Sequence, residues 1–168
     1  MEIERRFLIR DIDKVNELIK EYAETKKVIK QDYIYSDIYT AIRKRLIIKN
    51  DVPKYIYTVK TGRRELAVNE FESEISKEDY DKLKIDPSRI RIEKDRYLIP
   101  YRDNLKIELD VFHGAYEGVV FAEIEFESVE QAMAEKFPEW FGPEIGKYVS
   151  NDKMSKELID VEKVISGK

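Results

Sequence analysis

Glu2-Ile3-Glu4-Arg5-Arg6-Phe7 is the stretch that decides how this chain folds. Side chains at alternate positions of a β-strand share one face. Glu2, Glu4 and Arg6 therefore project to one side of a strand, while Ile3 and Phe7 project to the other. Phe121-Ala122-Glu123-Ile124-Glu125-Phe126 repeats the acidic pair on a second strand near the other end of the chain. The pattern predicts a sheet with one apolar face and one charged face.

Length and composition narrow the class of protein. The chain has 168 residues, so we expect a single domain over 1–168. A net charge of -4 argues against a general nucleic-acid-binding protein. Cysteine is absent, which excludes disulfides, thiolate metal sites and cysteine nucleophiles. No apolar run is long enough for a membrane span or a signal sequence, and we expect a cytoplasmic protein without a membrane partner.

Period-two segments dominate the chain, and short helical segments interrupt them. Hairpin-length connections, such as the turn over residues 50–53, favour an antiparallel sheet. Helices are expected after the N-cap residues Asp11, Ser76, Ser128, and Ser150 or Asn151. The predicted strands are 2–9, 27–35, 41–48, 54–60, 67–75, 89–99, 105–112 and 119–127.

Some predicted strands have acidic residues at alternate positions, whereas other strands have basic residues there. An open sheet with a solvated outer face, on which acidic and basic strands form ion pairs, is one interpretation. However, three glutamates on one face of a single strand add little stability without a facing cation, and the helices are too few to line both sides of the sheet. A closed barrel with a charged lumen and helices on its apolar exterior accounts for both observations. The acids share a face at Glu2 and Glu4, at Glu70, Glu72 and Glu74, at Glu108 and Asp110, and at Glu123 and Glu125; the bases do so at Arg43 and Arg45, at Lys60, and at Lys94 and Arg96.

A lumen with acids on some walls and bases on others restricts the ligand. Guanidinium and ammonium groups bind phosphate oxygens strongly. Neighbouring carboxylates repel phosphate unless Mg²⁺ or Mn²⁺ is bound between them through oxygen ligands. The expected ligand is a metal-complexed polyphosphate.

At this point the sequence resembles a known family, the CYTH or triphosphate tunnel metalloenzyme superfamily. The opening resembles its Glu-x-Glu-x-Lys signature, and an ordered series of further segments covers most of the chain. These segments are Gln31-Asp32-Tyr33-Ile34, Ile42-Arg43-Lys44-Arg45, Thr58-Val59-Lys60, Glu70-Phe71-Glu72, Lys94-Asp95-Arg96-Tyr97, Glu108-Leu109-Asp110-Val111-Phe112-His113-Gly114, Ala122-Glu123-Ile124-Glu125 and the region from Tyr148 to Asn151.

The resemblance implies an α+β fold, an eight-stranded antiparallel tunnel that hydrolyses a triphosphate with Mg²⁺ or Mn²⁺. It implies catalytic roles for Arg6, Glu72 and Asp110. It also implies that phosphate oxygens are held by basic residues and the metal by glutamates. The implied phosphate ligands are Arg6, Arg43, Arg45, Lys60, Lys94 and Arg96, and the implied metal ligands are Glu2, Glu4, Glu123 and Glu125.

The chain departs from the family pattern at two positions, and three activities stay open. Arg6 replaces the signature lysine, and the arginine often found before the Glu-Phe-Glu segment has no equivalent, so Arg63 or Arg64 would have to reach in. We expect a hydrolase of inorganic triphosphate. The alternatives are a class IV adenylate cyclase or thiamine triphosphatase, and a non-catalytic polyphosphate or nucleotide binder. The protein is either a monomer or a homodimer.

Two other features attract attention but have ordinary explanations. His113, the single histidine, is expected at a surface turn rather than in catalysis. The aromatic segment 137–143 is expected to close one end of the barrel or to pack on its exterior, and a partner-binding surface is the alternative.

Overall fold

The computed structural model describes residues 1–62 and 67–167, and its eight strands form a closed, antiparallel barrel. Around the barrel the strands follow the order β1-β5-β4-β3-β2-β6-β7-β8. The predicted fold class is confirmed, and each predicted strand is present with ends shifted by a few residues. The strands are β1 (Glu2–Leu8), β2 (Lys27–Ser36), β3 (Thr40–Lys49), β4 (Val52–Thr61), β5 (Ala67–Ile75), β6 (Ile92–Pro100), β7 (Lys106–His113) and β8 (Val120–Phe126).

The β3–β4 connection shows why these strands pair as hairpins. Asn50 and Asp51 have φ values of 51° and 63°, the left-handed conformation of a two-residue hairpin turn whose twist matches the strands. The turn is therefore shorter than the predicted 50–53, because Val52 and Pro53 already pair with β3.

Short helices lie outside the strands and begin at the predicted caps. The side chains of Asp11, Ser76, Ser128 and Ser150 each accept a hydrogen bond from the backbone three residues later. In the described part of the chain, no helix combines the length and hydropathy that crossing a membrane requires. The helices are α1 (Ile12–Glu21), α2 (Lys77–Lys82), α3 (Val129–Ala134), α4 (Asn151–Lys156) and α5 (Val161–Ile165), the last of which the sequence pattern did not predict.

The main apolar core lies on the outside of β1 and β6 to β8. Val15 and Leu18 of α1 pack there, and so does the aromatic segment 137–141. The Phe137 ring centroid lies 4.3 Å from that of Phe7 on the outer side of β1. The segment therefore packs on the exterior, which was one of the alternatives expected for it.

A second apolar cluster closes one end of the lumen. The inward face of four strands changes from charged to apolar along its length, at Leu8, Ile92, Phe112 and Phe121. Met154 of α4 packs into the same cluster. The charged lumen is thus confined to the other part of the barrel, because these side chains exclude water from this end.

Candidate functional site

The charged part of the lumen encloses a cavity of about 620 Å³. The strands supply most of its walls, and residues 146–153 before and within α4 supply the remainder. Asp110 is fully buried, and its carboxylate bonds to Lys94 and Arg96. The other predicted site residues line the cavity, and these are Glu2, Glu4, Arg6, Arg43, Arg45, Lys60, Glu72, Lys94, Arg96, Glu123 and Glu125.

Arg43 and Arg45 of β3 present unsatisfied donors in this cavity. The Nε of each guanidinium is buried and has no hydrogen-bond partner among the described residues. Arg45 donates from a terminal nitrogen to Glu72 at 3.1 Å. Burial, followed by repulsion from Arg43 and Arg96, lowers the pKa of Arg45 to about 10. A buried donor without an acceptor costs free energy, so both arginines favour binding of an anion.

Lys94 and Arg96 of β6 are bound by Asp110 on the neighbouring β7. The Arg96 guanidinium donates to both Asp110 oxygens, at 2.7 and 2.9 Å. Lys94 Nζ lies 2.9 Å from the same carboxylate and donates to Asn151 Oδ1 at 2.9 Å. Burial lowers the pKa of Lys94 to about 8, against the opposing attraction of Asp110. Asp110 therefore fixes two bases in place from beneath the cavity wall.

Lys60 of β4 links two acids at the wall formed by β1 and β5. Its Nζ donates to Glu2 at 2.8 Å and lies 3.5 Å from Glu70. Burial raises the pKa of Glu2, but the charge of Lys60 outweighs it, so that the pKa lies below its usual value. Glu2 is therefore charged at neutral pH.

Arg6 occupies the position of the family's signature lysine and is held by three acceptors. Its guanidinium donates to Glu123 and Glu4, at 2.9 Å each, and to the backbone oxygen of Val149 at 2.8 Å. Burial opposes the charge, but Glu123 and Glu4 together raise the pKa of Arg6. Three of the five N–H donors of this guanidinium are therefore already engaged by the protein.

Glu4 of β1 and Glu123 and Glu125 of β8 form the acidic wall, and their carboxyls have opposite protonation preferences. Burial, reinforced by repulsion from Glu123, raises the pKa of Glu4 to about 8. Burial also raises the pKa of Glu125, with repulsion from Glu2 and Glu108 adding to it. At Glu123 burial is outweighed by Arg6, Arg96 and Lys94, which hold the pKa well below its usual value. The surroundings of Glu4 and Glu125 thus favour their protonated forms, although Arg6 donates to Glu4.

Oxygen ligands of this kind fit Mg²⁺ or Mn²⁺. Within residues 1–62 and 67–167, no three His, Cys, Asp or Glu side chains stand close enough to hold a metal by themselves. Mg²⁺ is usually bound by one or two carboxylates together with water and substrate phosphates. The raised pKa values of Glu4 and Glu125 fit a cation that is bound in this way, because such a cation would stabilise their charged forms.

Asn151 and Gln31 are site residues that the sequence pattern did not single out. Asn151 Oδ1 accepts from Lys94 and, at 3.4 Å, from Gln31 Nε2, while Gln31 Oε1 is buried without a partner. The resemblance of residues 148–151 to a family segment was the one signal for Asn151. Arg63 and Arg64, expected to reach in from the loop, lie outside the described residues.

Comparisons with known proteins come from solved structures, since neither a family model nor a curated protein matches the sequence. The inorganic triphosphatase NE1496 is 26% identical with a TM-score of 0.58, covering 95% of this chain and 97% of that chain. HpAC1 from Hippeastrum, a putative adenylyl cyclase with a dominant triphosphatase activity, is 15% identical with a TM-score of 0.60. The match covers 79% of this chain and 83% of HpAC1. PH1819 from Pyrococcus horikoshii OT3 is 20% identical with a TM-score of 0.57. The match covers 78% of this chain and 81% of PH1819.

These likenesses agree with the closed antiparallel barrel of this chain. NE1496 matches over almost the whole of both chains, whereas the two less identical proteins support the fold alone. The chain therefore has the triphosphate tunnel fold, and its resemblance to the CYTH, or triphosphate tunnel metalloenzyme, superfamily is confirmed.

Proposed function

We propose that this protein hydrolyses a phosphoanhydride bond of inorganic triphosphate, or of a related triphosphate, with Mg²⁺ or Mn²⁺. The observation that carries the proposal is the pair of buried Nε donors of Arg43 and Arg45, unpartnered among the described residues, in one cavity with Glu4, whose buried carboxyl has a raised pKa. Donors that lack an acceptor require an anion, and acids that repel one another require a cation. The similarity to the inorganic triphosphatase NE1496 supports the same substrate class.

Arg43, Arg45 and Lys60 are the proposed phosphate ligands. A phosphate oxygen that reaches the arginine Nε atoms would displace no protein hydrogen bond, because neither atom has an acceptor among the described residues. Charge-assisted hydrogen bonds of this type are strengthened by burial. Lys60 lies beside Glu2 and Glu70, and so brings positive charge next to the acidic wall.

Glu4 and Glu125 are the proposed metal ligands, with Glu2 and Glu123 beside them. A bound Mg²⁺ or Mn²⁺ would polarise the phosphoryl oxygens and offset the charge that develops in the transition state. Glu4 and Glu125 are direct cross-strand partners in the β1–β8 pair. A cation bound beside Glu4 would favour loss of its proton.

Arg6, Arg96 and Asp110 are proposed as positioning residues. Arg6 holds Glu4 and Glu123 through separate nitrogens, and so fixes the separation of two acids. Arg96 and Lys94 are fixed in turn by Asp110. Phosphoryl transfer depends mainly on placement of charge, and these ion pairs supply that placement.

The test is phosphate release from tripolyphosphate by the purified protein, with Mg²⁺ or Mn²⁺ added or chelated. Release should require the metal. Arg43→Gln should weaken triphosphate binding roughly ten- to a hundredfold, the effect of losing one charged hydrogen bond. Arg102→Gln removes an exterior arginine that pairs with Glu135 and is the matched control. Release that persists after exhaustive chelation contradicts the metal role.

ATP and thiamine triphosphate, assayed in parallel with cyclic AMP monitored, separate the related activities. Cyclic AMP formed from ATP without phosphate release would identify a cyclase. Faster release from thiamine triphosphate than from tripolyphosphate would identify the organic triphosphate as substrate. Tight tripolyphosphate binding without turnover of any triphosphate would instead identify a non-catalytic binder.

A further inference from the structure

The outer face of β3, β4 and β5 is nearly free of charge, although charged residues make up 39% of the chain. Lys44 is the one formally charged residue at the outward positions paired across these three strands. It is buried, and its Nζ donates to the backbone oxygens of Tyr80 and Leu83 at 2.8 and 3.0 Å. The charge is therefore directed away from solvent.

An apolar row crosses the uncovered part of this face. Tyr35, Ile42, Val59 and Phe71 are successive cross-strand partners from β2 to β5. Phe71 is 63% exposed, and Ile38 in the adjoining β2–β3 turn is 77% exposed. An exposed apolar group of this extent on a highly charged protein is typical of an interaction surface.

A neutral polar row borders the apolar one. Thr40, Thr61 and Asn69 are paired across β3, β4 and β5 at the next outward position. Each of these side chains can both donate and accept a hydrogen bond. We call the two rows together the neutral face.

Helices cover other parts of the barrel exterior. Tyr80 of α2 packs on Tyr55, with ring centroids 5.0 Å apart, and so covers the far end of β4. The segment 137–141 and α1 cover the outside of β1 and β6 to β8. Within the described residues, no helix packs on the apolar row, and Phe71 stays exposed as a result.

We propose that the neutral face pairs with the same face of a second copy of this chain, forming a two-fold symmetric homodimer. In a two-fold contact, a surface patch faces the same patch of the second copy. A patch with charges of one sign would therefore repel its counterpart, whereas a neutral patch does not. Groups that both donate and accept are complementary to themselves. Two β-sheet faces pack readily on one another through their apolar side chains. Among the described residues, the face has no exposed basic side chain that would favour nucleic acid or an anionic membrane instead.

Sedimentation equilibrium of the full chain from micromolar to millimolar concentration tests the proposal. The expected mass is twice the 20.0 kDa of one chain. Phe71→Lys should weaken association at least about thirtyfold, the loss typical of a central aromatic contact. Met133→Lys is the matched control, because Met133 is 65% exposed on α3, which packs on β1 and β8. A wild-type monomer at every concentration, or equal losses in both variants, would overturn the proposal.

A single spin label per chain locates the contact, since the protein has no cysteine of its own. Nitroxide at Asn69→Cys should give a short distance between copies, and nitroxide at Met133→Cys a longer one. The reverse order places the contact elsewhere and contradicts the proposal. Circular dichroism of Phe71→Lys must match wild type, and Phe71→Ser provides a second, uncharged variant if it does not. The dimer does not depend on the proposed triphosphatase activity, which is measured separately.

Discussion

Asp110→Asn should reveal a structural rather than a directly catalytic role for this acid. The substitution keeps the shape of the side chain and removes its charge. Removing one partner from a buried ion pair typically costs about 3–5 kcal/mol. In the variant, Arg96 would retain its ion pair with Glu108 at 2.5 Å, and Lys94 its hydrogen bond to Asn151 at 2.9 Å. The loss of unfolding free energy should therefore lie near the lower end of that range. A loss of about 3 kcal/mol corresponds to a melting temperature about 6–12 °C lower in a chain of this size.

Differential scanning calorimetry of Asp110→Asn and of Glu72→Gln provides the comparison. Glu72 also binds an arginine in the cavity, but 41% of its side chain is exposed, and a pair of that kind contributes about 0–1 kcal/mol. Glu72→Gln should therefore melt within a few degrees of wild type. An Asp110→Asn variant that loses turnover while melting with wild type would refute this reasoning and restore the catalytic role inferred from the family resemblance.

Three further outcomes are expected. Glu4→Gln should abolish metal-dependent phosphate release without lowering the melting temperature, because neutralising Glu4 relieves repulsion from Glu123; a large thermal loss would contradict this. Hydrogen bonds to Asp95 and, more weakly, to Glu117 raise the pKa of His113. The stability that protonated His113 adds to the fold is therefore complete below about pH 6.5 and is lost as pH rises through the raised pKa. The melting temperatures of wild type and His113→Asn, measured across that range, should converge at high pH. Gly142→Ala should cost about 1–3 kcal/mol in chemical denaturation, because its Cβ would overlap the Leu8 carbonyl oxygen that accepts from the Gly142 N–H, and an unchanged midpoint would disprove that contact.

Several features of the site were predictable because they depend on local spacing alone. Glu2 and Glu4 share a face on any β-strand, and so do Arg43 and Arg45, whatever the remainder of the chain does. The N-caps at Ser76 and Ser128 likewise depend on a side chain that reaches only three residues ahead. The placement of His113 at the surface was also correct, since it bonds Asp95 and Glu117 outside the lumen.

Other features depend on which distant residues meet. The apolar closure of the lumen joins Leu8, Phe112 and Phe121 with Met154 across the barrel, and no local pattern specifies that encounter. Asn151 reaches Lys94 only because α4 packs at the end of the lumen near β2 and β6. Period-two spacing predicts these residues' faces but not their neighbours.

The amino-acid sequence by itself determined the strands, the face on which each charge lies and the signs that meet in the lumen. Only the tertiary structure decided which charges neutralise one another. Arg6, Arg43 and Arg96 are alike in sequence terms. Acids bind Arg6 and Arg96, whereas the buried Nε of Arg43 has no partner among the residues that the structure describes. The physical reason is register, because the acid opposite each base is set by strand pairing between segments far apart in the chain.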